Sequence, residues 1–359
     1  TDPLAVPTRT DNTVTSEDIG RYMRIYFPRS FEKLLEYEFI VLADVDLSYF
    51  TPLQLSWLYD SLKDHPKGGV VTRSVMSAVS SYYEPWRNCI LSAAFPNDVD
   101  AVIKDDKNFQ GIAGPLVVRD DPSLPDIMKS FKAQIEPIFT SYGGVNTVPR
   151  PGSTILSYTK NDQGVGSPVP GQIAHIFYWT WNRSTTFIFR DMFTNDFWHG
   201  SASRWNPFAL DIMVNVVWFS AGRTLPDDPL KVHALRWGLS TFRLRKSILQ
   251  GLLDFAEKFG ADTSGAYRRL ETVEEMVKQS HDLYMDEQFD GAHEAVMASI
   301  ERLRELEDDA MALKKRALMW TYITEWLATA GTLMLTGLLL WSLMVRRTLY
   351  KEVGITSAS

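Results

Sequence analysis

The chain has 359 residues, 45% of them hydrophobic, and a formal net charge of -7. That length holds one sizeable α/β domain plus a second element, and the ordinary charge content excludes a disordered chain. The negative balance, with no basic stripe interleaved with aromatics, argues against nucleic acid as a partner, and the single cysteine, Cys89, excludes an intrachain disulfide or a thiolate metal cluster.

The chain starts at Thr1 with no basic-then-apolar leader, which leads us to expect a mature chain cut from a longer precursor. Apolar runs then alternate with amphipathic stretches: "FIVLADV", "PLQLSWLYDSLKD", "GGVVT", and later "GPLVVRD" followed by "LPDIMKSFKAQIEPIF". This alternation predicts a parallel sheet wrapped by helices. Two further strands, "AHIFYWTW" and "TTFIFRDM", are separated by Asn182, Arg183 and Ser184 and read as an antiparallel hairpin at a sheet edge. A helix over about Pro207 to Ser220 closes this part.

Past Pro226 and Pro229 nothing has strand character. A helix over roughly Val232 to Phe259, ended by Gly260, offers Leu235, Leu239, Phe242, Leu249, Leu252, Ala256 and Phe259 for packing. A second seam runs through Ala266, Leu270, Val273, Val277, Ser280 and Tyr284. A third follows through Phe289, Ala292, Val296, Ser299, Leu303, Leu306, Ala310, Leu313, Ala317 and Trp320, at spacings of three and four. "QFDGA" separates the last two helices, with Asp290 as the expected N-cap. The result is a helical hairpin or three-helix bundle, a stalk whose uncovered faces are available to a partner helix.

From Trp326 to Val345 no charge occurs for about 20 residues, the length a helix needs to cross the hydrocarbon core. Trp320, Tyr322 and Trp326 on one side and Trp341 and Tyr350 on the other suit the two interfaces, and Leu333 and Leu340 fall within the span. Arg346, Arg347 and Lys351 after the span balance Lys314, Lys315 and Arg316 before it, so the positive-inside rule does not orient the helix. The start at Thr1 favours a head outside and a short cytoplasmic tail. Ala328, Thr332 and Thr336 form a small-residue row compatible with helix contact. The expected domains are 1–225 (α/β head), 226–316 (helical bundle), 317–345 (transmembrane helix) and 346–359 (tail).

The segment "FPRSFEKLLEYEFIVLADVDLSYFTPLQLSWLYDSLKDHPKGGVV", together with "VPRPGSTILSYT", "GQIAHIFYWTW" and "NVVWFSAGR", resembles the class I glutamine amidotransferase-like domains in order and spacing. The resemblance covers most of Leu4 to Arg223. It implies a three-layer, flavodoxin-like head, with the stalk and the membrane helix outside it. Catalysis in that family needs a cysteine on a Gly-rich elbow beside backbone N–H groups, and a His-x-Glu pair to activate it. Here Cys89 lies in "YEPWRNCILSAAF" without a glycine, and no histidine is followed two residues later by Glu. "GVGSP" at 164–168 lacks the serine-elbow frame.

Asp44 and Asp46 stand at the carboxyl end of the first expected strand, where open α/β sheets bind ligands, and their alternation would point both to one face. They are low-count candidates for a ligand or metal, with solvation or capping as the ordinary reading. His175, Asp191, Asp196 and His199 form the other cluster, whose spacing matches no zinc signature. Gly143, Gly144, Gly164 and Gly166 read as turns. Asn182 in "NRS" is the lone glycosylation sequon. No cofactor is expected. The sequence therefore predicts a non-catalytic, membrane-anchored envelope protein in contact with the lipid bilayer and with other membrane or surface subunits. The alternative is a tethered hydrolase or metal-dependent enzyme using Asp44, Asp46 or His199.

Overall fold

The computed structural model describes residues 15–43, 45–72, 83–99, 112–137, 140–144, 148–160, 172–190 and 206–356. The chain divides into two compact units, Thr1–Leu230 and Lys231–Ser359. The first is an α/β head and the second is helical.

In the head, helix α1 (Ser16–Tyr26) is opened by Thr15, whose hydroxyl accepts from the Asp18 N–H while the Asp18 carboxylate accepts from the Thr15 N–H, a reciprocal capping box. Helix α2 (Phe31–Leu35) leads into strand β1 (Phe39–Leu42). Helix α3 (Pro52–Asp64) repeats the capping box with Thr51 and Gln54 and has Pro52 in its first turn, where a missing N–H costs nothing. Strand β2 (Gly68–Thr72), helix α4 (Tyr83–Arg87), strand β3 (Ile112–Val118), helix α5 (Lys132–Ile135), strands β4 (Thr140–Gly144), β5 (Thr154–Lys160), β6 (Gln172–Trp181) and β7 (Ser184–Phe189) and helix α6 (Ala209–Ser220) follow.

The strands form one sheet in the order β1-β2-β7-β6-β5-β3-β4. Only β1, β2 and β7 run parallel; the pairs β7–β6, β6–β5, β5–β3 and β3–β4 are antiparallel. The sheet is therefore mixed, not parallel as the alternation of runs suggests. The β6–β7 hairpin sits in the middle of the sheet, between β5 and β2, and not at its edge. Its burial gives the reason: both strands are buried almost continuously, as strands covered on both faces are.

Neighbouring residues on one strand serve opposite layers. Val71 and Ile188 pack with Ile19, Met23, Leu34, Leu58 and Leu62 of α1, α2 and α3 on one face. Val70, Phe187 and Phe189 pack with Ile127, Phe131, Ile135, Ile212 and Val216 on the other. This is the three-layer α/β head. The stretch read as a long helix over "LPDIMKSFKAQIEPIF" forms only a 3-10 turn at Lys129–Phe131 and the single turn α5. Pro125 and Pro137 bracket it and keep it short. Gly68 opens β2 because a Cβ there would lie 2.2 Å from Phe39 Cδ2 and 2.5 Å from Ser220 Cβ.

The second unit holds helices α7 (Pro229–Lys258), α8 (Ser264–Met285) and α9 (Phe289–Thr356). Phe242, Leu249, Leu253, Ala266, Leu270, Val273, Leu303, Leu306 and Ala310 form one core, and Leu235, Ala292 and Val296 a second. The predicted seams are buried through their middles, while Phe259 and Trp320 at their ends are exposed and Leu253, not the expected Leu252, is the fully buried residue of its turn. Helix α7 ends in a Schellman motif: Gly260 takes φ +83, its N–H donates to Glu257 O and the Ala261 N–H donates to Ala256 O. Between α8 and α9 the same job falls to a non-glycine, Glu287 at φ 62. Asp290 is not the N-cap; it lies in the first turn of α9, where its carboxylate meets Lys231 of α7. That ammonium and the positive end of the helix both favour an acid there, and the Lys231 hydrogen bond pulls the Asp290 carboxyl below its usual range.

Candidate functional site

The carboxyl ends of β1, β2 and β7 coincide at Leu42, Thr72 and Phe189. By antiparallel pairing, the start of β6 and the end of β5 lie at the same edge, Ile176 opposite Phe189 and Thr159 opposite Ile173. A parallel α/β sheet binds ligands at such an edge. Buried polar residues lie at or near it: Thr72, Thr159, His175 and Arg190, with Ser157 further along β5.

Ser157 Oγ lies 3.2 Å from His175 Nδ1, and the Arg190 N–H donates to His175 O at 2.9 Å. The Thr159 hydroxyl is buried and has no hydrogen-bond partner among the described residues. The guanidinium of Arg190 is wholly removed from water, a placement that a charge tolerates only when paired. A hydroxyl beside an imidazole resembles half of a nucleophilic dyad. Ser157, however, stands in the middle of β5 with 0% exposure, not on an elbow, so the pair knits two strands and is closed to a substrate.

Asp46 does not extend the strand. β1 ends at Leu42, and Asp46 caps the 3-10 turn Leu47–Tyr49 by accepting from the Ser48 N–H at 2.9 Å. The strand alternation expected of this stretch therefore does not reach Asp46. Asp44, Asp191, Asp196 and His199 lie outside the described residues, as does "GVGSP". His175 is described and is tied to Ser157. Among the described residues no three His, Cys, Asp or Glu side chains group as metal ligands.

Cys89 packs partly buried against the α1–α3 core, at the start of the 3-10 turn Ile90–Ala94 and not within a continuous helix. Burial pushes its thiol up, outweighing the Leu91 and Ser92 N–H groups that pull it down. A raised pKa disfavours the thiolate that a nucleophile needs.

Sequence reasoning passes over two other features. Lys67, at the opposite end of β2, is 5% exposed and donates from Nζ to Leu35 O and Tyr37 O, satisfying the last carbonyls around α2; burial lowers its pKa. On the β6 side, the Arg150 guanidinium lies over Trp179, Trp179 stacks on Trp181, Trp181 meets Tyr59, and Lys63 lies over Tyr59. Arg150, Trp179 and Tyr59 are far apart in the chain, so only the fold brings this ladder together.

Asn182 occupies the exposed hairpin turn at φ 50, a left-handed conformation that Asn tolerates. On α9 the side chains Trp326, Leu333, Leu340 and Trp341 are all exposed, as are Arg346 and Arg347. This helix is long and apolar enough to cross a membrane, and none of its apolar window is buried. Thr329, Thr332 and Thr336 donate their hydroxyls to carbonyls one turn earlier, at 2.8, 2.8 and 2.7 Å. Those hydroxyls need no water, as a helix in lipid requires.

No known sequence family matches the chain, and no curated protein matches it. Two solved structures are similar to it, both described as cytoplasmic proteins of Salmonella typhimurium. One is 17% identical, with a TM-score of 0.42, over 56% of this chain and 78% of that one. The other is 16% identical, with a TM-score of 0.41, over 54% of this chain and 76% of that one.

Proposed function

We propose that this chain is a non-catalytic, membrane-anchored protein of the cell envelope, in which an amidotransferase-like head serves as a binding or structural module. The bundle is the connecting element, the apolar part of α9 is the anchor, and the partners are the bilayer and other membrane or surface subunits. The observation that carries the reading is the change of environment along one helix. The α9 seam is buried from Ala292 to Ala310 and again at Ala317, with Leu313 half-buried, and from Trp320 onward the large apolar side chains, Trp326, Leu333, Leu340 and Trp341 among them, are exposed. In water, a bare surface of that size would be a strong aggregation liability; in lipid it is solvated.

The absence of a catalytic role is supported by the raised pKa of Cys89 and by the enclosure of Ser157 and His175. The head outside and the tail inside is supported by the exposed position of the Asn182 sequon. Protease added to intact cells is then expected to release the head and leave a protected fragment containing Arg346 to Ser359. Full protection of the head overturns the orientation. Purification of the tagged full chain from native membranes is expected to bring membrane or surface subunits with it and to show no glutamine hydrolysis. Recovery of the chain alone, with hydrolysis lost on Cys89→Ala, overturns the non-catalytic reading.

A further inference from the structure

Helix α7 carries two apolar stripes. One, Leu235, Phe242, Leu249 and Ala256 at seven-residue spacing, is buried in the bundle. The other faces away from it: Leu230, Trp237 and Leu244, again seven apart, are 43%, 58% and 65% exposed, and Ile248 is 54% exposed. With the half-buried Ala234, Thr241 and Phe255, the last under Lys314 of its own bundle, these residues fall at the core positions of a heptad repeat: Ala234, Thr241, Ile248 and Phe255 at a, and Leu230, Trp237 and Leu244 at d, with Gly251 leaving the last d position without a side chain. A Cβ on Gly251 would meet nothing within 4 Å.

We infer that this stripe is a homodimer interface, in which α7 of one copy pairs in parallel with α7 of a second copy. A seven-residue repeat of core positions is what lets one helix follow another over several turns, here about 38 Å from Leu230 to Phe255. The flanking positions permit self-pairing without a charge clash. In a parallel pair the g and following e positions meet as His233 with Gly238, Ser240 with Arg245, and Ser247 with Leu252, so no two like charges oppose. The Arg245 guanidinium is already held by Glu307 of its own bundle. The stripe would bury roughly 600 Å² per copy, which reaches the lower bound of about 1,200 Å² in total for a stable interface. The parallel direction rests on the anchored reading, since two chains inserted in one membrane the same way present α7 in the same sense.

The test uses the full chain with Cys89→Ala, carrying either Leu244→Cys or, on the outer face of α8, Glu271→Cys. In a parallel pair a d residue meets its own counterpart, so mild oxidation in membranes is expected to double the mass of the Leu244→Cys chain and leave the Glu271→Cys chain single. No cross-link at 244, a cross-link to a polypeptide of another mass, or equal cross-linking at 271 overturns the inference. In detergent, light scattering is expected to give two chains for the wild type and one for Leu244→Glu/Ile248→Glu with helical content retained; a single-chain wild type overturns it. The two readings fail separately. A chain that is stripped from membranes by alkaline carbonate but still cross-links at 244 loses the anchor alone. A chain that stays in the membrane but never cross-links loses the dimer alone.

Discussion

A carboxylate a few residues past an apolar run is legible in the sequence only as an acid, and its neighbours decide its work. At Asp46 the decision is local, because the Ser48 N–H is two residues away and the strand has already ended at Leu42. Cys89 is decided by packing. Its raised pKa predicts that iodoacetamide at neutral pH labels the folded chain slowly and the unfolded chain fast, and that Cys89→Ala costs about 1 kcal/mol, read as a small fall in melting temperature. Tyr267 makes the opposite kind of prediction. Its hydroxyl donates to Asp254 Oδ1 at 2.6 Å, and this bond, first among the causes, raises its pKa from 10.0 to about 12. The neutral phenol is the favoured form, so its contribution to stability is present below pH 10.0 and is lost as pH rises through about 12. Ultraviolet titration is expected to show Tyr267 ionising late, beside Tyr178, whose phenol burial also pushes up, and the Tyr267 component is expected to disappear in Tyr267→Phe. Arg190 and Lys67 were not legible as buried charges, because a cation at a strand end looks the same in sequence whether it faces water or the interior; only the pairing partners across the sheet distinguish them.

At the level of elements, periodicity carried the helices of the second unit and failed on the sheet and on the helix expected over "LPDIMKSFKAQIEPIF". The seams through Leu235, Phe242 and Leu249, through Leu270 and Val273, and through Leu303 and Leu306 are each buried where their spacing put them. The reason is that helix packing is a local, repeating constraint. Strand order is not local. The β6–β7 hairpin was legible as a hairpin from the short break at Asn182, Arg183 and Ser184, of which Ser184 belongs to β7, but its central position depends on the parallel pairing of Thr185 with Gly68 and of Phe189 with Thr72. The paired glycines before "VVT" were legible as a strand opening, and the structure supplies the cause in the approach of Phe39 and Ser220 to Gly68. Gly68→Ala is expected to cost about 1–3 kcal/mol through overpacking at that crossing. Gly69→Ala, with its nearest contact at 3.3 Å, is expected to cost less. Paired thermal melts of the two variants measure the difference, and equal losses would remove the close-approach account.

For the whole molecule, two units with different physics lie on one chain: a head closed on both faces of its sheet, and a bundle whose last helix runs out of neighbours after Ala317. The apolar span of α9 was the most legible element, because a run of uncharged residues is a composition signal that needs no knowledge of the fold. The candidate site in the head was the least legible, since it depends on which strands share an edge. The central claim is that the apolar segment of α9 holds the chain in a bilayer, and each arginine placed at the middle of such a span costs about 2.5–3.5 kcal/mol of insertion. Alkaline carbonate extraction of native membranes tests it most directly. The wild-type chain is expected in the pellet and Leu333→Arg/Leu340→Arg in the supernatant; a wild-type chain released with the soluble proteins would contradict the account.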